Sequence, residues 1–134
     1  MLACSGMGRI VTLVRVENAL DPTKHIVCDA LVDTGASHLV LPAAWKERLG
    51  TLSSAHEVEM ETATQDTVKA EICGPVRIHI EGFRPIHSEV LFVEMHPETG
   101  MYEPLLGYIP LEQSQAAVDM LGHRLVPVKH LDLK

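Results

Sequence analysis

Ala30-Leu31-Val32-Asp33-Thr34-Gly35-Ala36-Ser37-His38-Leu39-Val40-Leu41-Pro42 is the stretch whose reading decides the fold. One apolar run enters it and another leaves it, with an acid, a hydroxyl and a glycine between them. Ala30, Leu31 and Val32 read as a strand buried on both faces. A carboxylate at the end of such a strand is costly unless something pairs with it or uses it. Gly35 lets the chain turn sharply and brings a backbone N–H close to that carboxylate. Thr34 adds a hydroxyl able to brace the loop. Asp, Thr and Gly are also ordinary turn formers, so the three residues alone would fit a plain turn. The flanking apolar runs are what make the stretch specific.

The rest of the chain bounds the possibilities. Its 134 residues make one domain with a sizeable core the simplest reading. Residues 1–8 read as a flexible arm and 9–134 as the folded domain. The net charge of −7 argues against nucleic acid or an anionic membrane as the main partner. Three cysteines, Cys4, Cys28 and Cys73, with no C-x-x-C, do not make a disulfide framework and fit a reducing, cytoplasmic setting. The eight histidines show no H-E-x-x-H and no paired ligand spacing, so no metal and no cofactor is expected. No segment is long enough to span a membrane, and no signal peptide is expected.

Taken in order, Arg9–Glu17 alternates as a strand. Ile10, Thr12, Val14 and Val16 lie on one face, and the strand is expected to be nearly buried at its start. Asp21-Pro22 marks a turn, and His25–Val32 returns to deliver Asp33. His38–Leu41 is a short strand. A short helix follows over 42–50, opened by Pro42 and closed by Gly50, with Trp45 and Leu49 packing inward. His56–Thr64 and Thr67–Glu71 form a hairpin with Glu57, Glu59 and Glu61 on one face. Gly74–Glu81 and Ile86–Glu94 are further strands. Leu111–Met120 is expected to be a helix ended by Gly122, and Arg124–Leu133 a last strand broken at Pro127. About seven or eight strands with one or two short helices predict a mostly-β single domain, barrel-like or sandwich-like.

A-L-V-D-T-G-A-S followed by L-V-L-P resembles the acid loop of the retropepsin-like (clan AA) aspartic proteases, the single-domain relatives of pepsin. Pro104-Leu105-Leu106-Gly107, continuing through Pro110-Leu111-Glu112, resembles the bacterial, non-viral branch of that family. So does Gly122–Pro127, G-H-R-L-V-P. The resemblance implies an acid-protease barrel and an aspartic endopeptidase. Asp33, Thr34 and Gly35 would be its catalytic loop, and Leu105, Leu106 and Gly107 would pack beside it. It implies that the 56–71 hairpin is a flap closing over peptide, with Ala36, Thr62, Ala63, Thr64 and Gln65 lining the substrate groove. Relatives usually carry Ala-Asp-Gly or a glycine-rich tip there. Ala63-Thr64-Gln65 lacks the glycine and should be stiffer.

One carboxyl group cannot act as base and acid at once. Two of them about 3 Å apart, as in aspartic proteases generally, share a proton and divide the roles. Asp21, Asp29, Asp66, Asp119 and Asp132 are not followed by Thr/Ser-Gly, so the chain holds one such acid. A homodimer with Asp33 from each copy at the two-fold axis is the economical solution, and it is what the resemblance implies. Two other readings stand beside an endopeptidase acting on a peptide or protein substrate. One is a peptide-binding or dimerisation module that keeps the fold without cutting. The other is a histidine-based metal hydrolase, for which the ligand spacing is missing.

Overall fold

The computed structural model describes residues 9–61, 67–96 and 102–128. It is mostly strand. In order come β1 (Val11–Asn18), β2 (Asp21–Val32), β3 (Leu39–Pro42), a 3-10 helix (Ala43–Leu49), β4 (Ser54–Glu61), β5 (Thr67–Ile80), β6 (Ile86–Val93), β7 (Leu105–Leu106), helix α1 (Tyr108–Gln113), β8 (Ala116–Asp119) and β9 (Arg124–Pro127). The main sheet runs β1-β2-β7-β3-β6-β5-β4. β5 also pairs with β1, which closes six strands into a barrel and leaves β4 bonded to β5 alone. For those six strands closure removes the open edges that a flat sheet would expose.

Register explains the core. Val16 lies opposite Ile26 on β2 and Ile78 on β5, and Val14 lies opposite Cys28 and Ile80. These rows, with Leu39, Leu41, Val90, Phe92 and Leu106, form the main buried cluster. The alternation of Val76, Ile78 and Ile80 against Arg77, His79 and Glu81 is the inward–outward period of a strand on a core. Buried Asn18 fixes the β1–β2 turn. Its amide donates to the carbonyls of Leu49 and Thr51, each at 2.8 Å, and its oxygen accepts the Leu20 N–H at 2.9 Å.

Several expectations are corrected. The β1–β2 turn falls at Ala19–Leu20, because Asn18 caps it; Asp21-Pro22 already opens β2. The start of β1 is not nearly buried, and Ala30–Val32 is not buried on both faces: Val11 and Leu13 are exposed and Leu31 is half-buried. Pro42 ends β3 in an extended conformation, and the helix after it is a 3-10 turn. Trp45 does pack on the core as expected, half-buried, edge-on to Tyr102 and beneath the Arg48 guanidinium. Thr67–Glu71 and Gly74–Glu81 are not separate strands. β5 runs through Gly74-Pro75, a cis bond, with a register shift between Cys73 and Val76.

The largest correction concerns 111–120. The helix stops at Gln113, and Gln115 takes a left-handed φ of 58°. Ala116–Asp119 then pairs antiparallel with Arg124–Pro127. Gly122 therefore sits in a hairpin turn instead of ending a helix, and Leu121 at that turn is 97% exposed. β9 ends at Pro127; the part of the expected strand past Val128 lies outside the described residues, as does the arm 1–8.

Candidate active site

β7 is only two residues long, yet it holds the acid loop. Leu31 and Val32 pair with Leu105 and Leu106 in parallel, while Leu39 and Val40 pair with Leu106 and Leu105 from the other side. The chain before Asp33 and the chain after His38 thus clasp one short strand, and Thr34–His38 is the loop between them. The parallel ladder continues into the loop: the Asp33 N–H donates to the Leu106 carbonyl at 3.0 Å.

Two bonds set the carboxylate. The Gly35 N–H donates to Asp33 Oδ1 at 2.9 Å, and the Ala36 N–H donates to the Asp33 carbonyl at 3.0 Å. The first of these bonds fixes one oxygen of the Asp33 carboxyl in place.

The loop is held from behind by α1. This helix has no side-chain cap at Gly107, yet helix N-termini carry N–H groups needing acceptors. The acid loop supplies them. Gly107 N–H bonds the His38 carbonyl, Tyr108 N–H the Ala36 carbonyl and Ile109 N–H the Ser37 carbonyl, each at 2.9 Å. The helix start and the acid loop satisfy one another, so neither can shift alone.

Asp33, Thr34, Gly35, Ala36, Leu105, Leu106 and Gly107 are therefore assembled in one place. Thr62, Ala63, Thr64 and Gln65 lie outside the described residues. Asp33 is half-exposed, and Thr34 and Gly35 are exposed. Among the described residues no other carboxylate is hydrogen-bonded to Asp33, and no group of three or more His, Cys, Asp or Glu is placed to hold a metal ion. Burial pushes the thiols of Cys28 and Cys73 up to about 11, so neither offers a thiolate nucleophile at neutral pH.

Three features of the site escape the sequence reading. The first is the set of α1 backbone donors; only the L-L-G tripeptide signals them. The second is a small apolar cluster of Val40, Ala70 and Leu91, against which Ala36, Val58, Ile72 and Leu105 pack. It joins the acid loop to the roots of the β4–β5 hairpin. The third is an ion pair from Lys46 on the 3-10 helix to Glu71 on β5. Its hydrogen bond holds the Glu71 carboxyl below its usual range and raises the Lys46 ammonium. Glu71 lies directly opposite Glu57 in the ladder, so Lys46 also offsets a like-charge contact.

The closed β barrel thus carries an Asp-Thr-Gly loop clasped by a Leu-Leu-Gly strand and helix. The chain belongs to the aspartyl protease family, whose family model matches residues 20–108. Among solved structures it is similar to the EIAV protease, a retroviral protease complexed with the inhibitor HBY-793. The two share 22% identity at a TM-score of 0.56, over 83% of this chain and 92% of that one. That likeness is one of fold, and the fold is retropepsin-like. Curated proteins give no match to this chain.

Proposed function

We propose that the chain is an aspartic endopeptidase that works as a homodimer, with Asp33 of each copy forming the catalytic dyad. The observation that carries this is a single Asp33 carboxylate, pinned by Gly35 at the mouth of a loop that α1 holds rigid. In the dimer the two carboxyls share one proton. The ionised one takes a proton from water as the water attacks the peptide carbonyl. The protonated one donates to the amide oxygen; the carboxyl that took the water proton then passes it to the amide nitrogen as the C–N bond breaks, and the other regains a proton from the diol. Thr34 braces the paired loops through its hydroxyl, and Gly35 supplies close N–H contact.

An extended peptide lies between Ala36 and the hairpin residues Thr62–Gln65, bonding its backbone as an added strand. The partly exposed apolar side chains of Ala36, Val58, Ile72 and Leu105 support a preference for an aliphatic side chain beside the cut. The working unit spans 9–134 and acts on a protein or peptide in the cytoplasm, where the unpaired Cys28 and Cys73 are at home. No described helix is long and apolar enough to cross a membrane. A second reading, a module that binds peptide without cutting, draws support from the glycine-free Ala63-Thr64-Gln65.

The test is cleavage of a diverse peptide mixture from pH 4 to 8, wild type beside Asp33→Asn at high protein concentration. Cleavage by the wild type and none by the variant supports the endopeptidase. Peptide binding by both with cleavage by neither supports the binding module.

A further inference from the structure

We infer that the outer face of the β1–β2–β5 sheet docks a distal segment of the substrate polypeptide, taking aliphatic side chains and then an acidic one. This rests on the endopeptidase reading for its role in cleavage. An outward sheet face on a barrel is ordinarily polar. Here Val11, Leu13 and Val27 are 51%, 41% and 50% exposed on that face. Register makes them one strip: Val11 stands opposite Leu31, Leu13 opposite Asp29, and Arg15 opposite both Val27 and His79. Leu13, Arg15, Val27, His79 and Glu81 line a shallow groove of about 210 Å³ along it.

The strip starts at the candidate active site. Leu31 lies two residues before Asp33 and, with the period of a strand, shares its side of β2 with Asp29 and Val27. At roughly 3.3 Å per residue, Val27 sits about 20 Å along β2 from the acid. A polypeptide leaving the cut across Leu31 therefore meets aliphatic surface for several residues.

The far end is cationic in a chain of net charge −7. Buried Glu17 accepts from two arginines at once: Arg15 Nε donates to one oxygen at 2.8 Å and Arg77 Nη1 to the other at 3.0 Å. One carboxylate neutralises only one of the two guanidinium charges. Both guanidiniums reach solvent, at 40% and 41% exposure, and among the described residues most of their five N–H donors each have no partner. They are held side by side by a shared anchor, so an incoming carboxylate would meet donors already oriented. Asp29 and Glu81 flank the apolar part and repel an acid there. The acidic residue is thereby directed to the Arg15–Arg77 end, which gives the strip its order.

The test uses Asp33→Asn protein, which leaves a peptide uncut, and a dye-labelled probe, Leu-Thr-Leu-Ser-Glu-Gly-Glu. Fluorescence anisotropy should show saturable binding. Leu13→Asp and, separately, Arg77→Gln should each weaken it at least tenfold, as should a probe with Lys in place of Glu. Circular dichroism checks that each variant is folded, and Leu13→Asp, on an exposed position, keeps the test open if Arg77→Gln is not. No saturable binding, or equal binding by Leu13→Asp and by the Lys probe, overturns the proposal. Binding without any cleavage by the wild type overturns the endopeptidase reading and leaves this one standing.

Discussion

A Cβ on Gly107 would lie 2.5 Å from the carbonyl oxygen of His38 and 2.6 Å from that of Ala36. The start of α1 and the back of the acid loop are thus in backbone-to-backbone contact, at a spacing that only glycine permits. The same approach lets the Gly107, Tyr108 and Ile109 N–H groups reach the loop carbonyls.

Gly107→Ala should therefore destabilise the fold by about 1–3 kcal/mol, the cost of forcing a methyl into packed backbone. Gly122→Ala should cost less, although its Cβ would come within 2.4 Å of Asp119 Oδ2. The obstacle there is the end of a side chain, which can swing aside at the cost of exposed hydrogen bonds from Leu121, Gly122 and Arg124. Urea unfolding of the two variants checks the order.

Gly35→Ala separates activity from stability. Its Cβ would sit 3.1 Å from Asp33 Oδ1, close enough to push the carboxylate off its seat while the loop stays folded. The carboxylate must give way by a few tenths of an ångström, and since a 1 Å misplacement costs about 10²-fold in rate, this one should cost about tenfold or less. The expected outcome is peptide cleavage reduced to that extent with the unfolding midpoint little changed.

Lys46→Ala should loosen the root of the β4–β5 hairpin by exposing Glu57 and Glu71 to each other. Both Lys46 and Glu71 reach solvent, so the loss in global stability should be only about 0.5 kcal/mol. The local effect is the clearer readout: faster amide hydrogen exchange across Ser54–Glu61, reversed in part by adding Glu57→Gln.

The parts of the site that were legible in the sequence are those where one short segment carries its own reason. Asp33-Thr34-Gly35 needed no distant partner to be read as a fixed acid. Leu105-Leu106-Gly107 could be placed beside it by family pattern. Residues whose state is set by distant pairing were not legible. Ala116–Asp119 has helix-compatible composition, and what makes it a strand is Arg124–Pro127 together with the left-handed Gln115. Gly74-Pro75 looks like a strand break, yet β6 pairs with β5 on both sides of it, with β4 before it and β1 after it, and together they carry the strand through. The exposure of Val11 and Leu13 was hidden for the same reason: periodicity shows which residues share a face, but only the closed barrel shows which face is inside.

Glu17 gives the fold an acid-dependent contribution. The hydrogen bond from Arg15 holds its carboxyl below the usual 4.5, with burial opposing and Arg77 assisting. The folded value lies below the unfolded one, so the ionised form is favoured by folding. Its stabilisation is fully present above about pH 4.5 and is lost as the pH falls through the lowered value. Glu17→Gln should cost roughly 2 kcal/mol at pH 7, less than for a fully buried pair because both guanidiniums reach water. The gap between wild type and variant should shrink steadily below pH 4.5 in chemical unfolding.

The most direct test of the shared dyad is to mix wild-type and Asp33→Asn protein at fixed total concentration, let subunits exchange, and measure peptide cleavage against the wild-type fraction. If one carboxyl from each copy is required, activity follows the square of that fraction, so an equal mixture retains about one quarter of wild-type activity. Activity proportional to the wild-type fraction would show that each chain cuts on its own, and would contradict the Asp33 dyad.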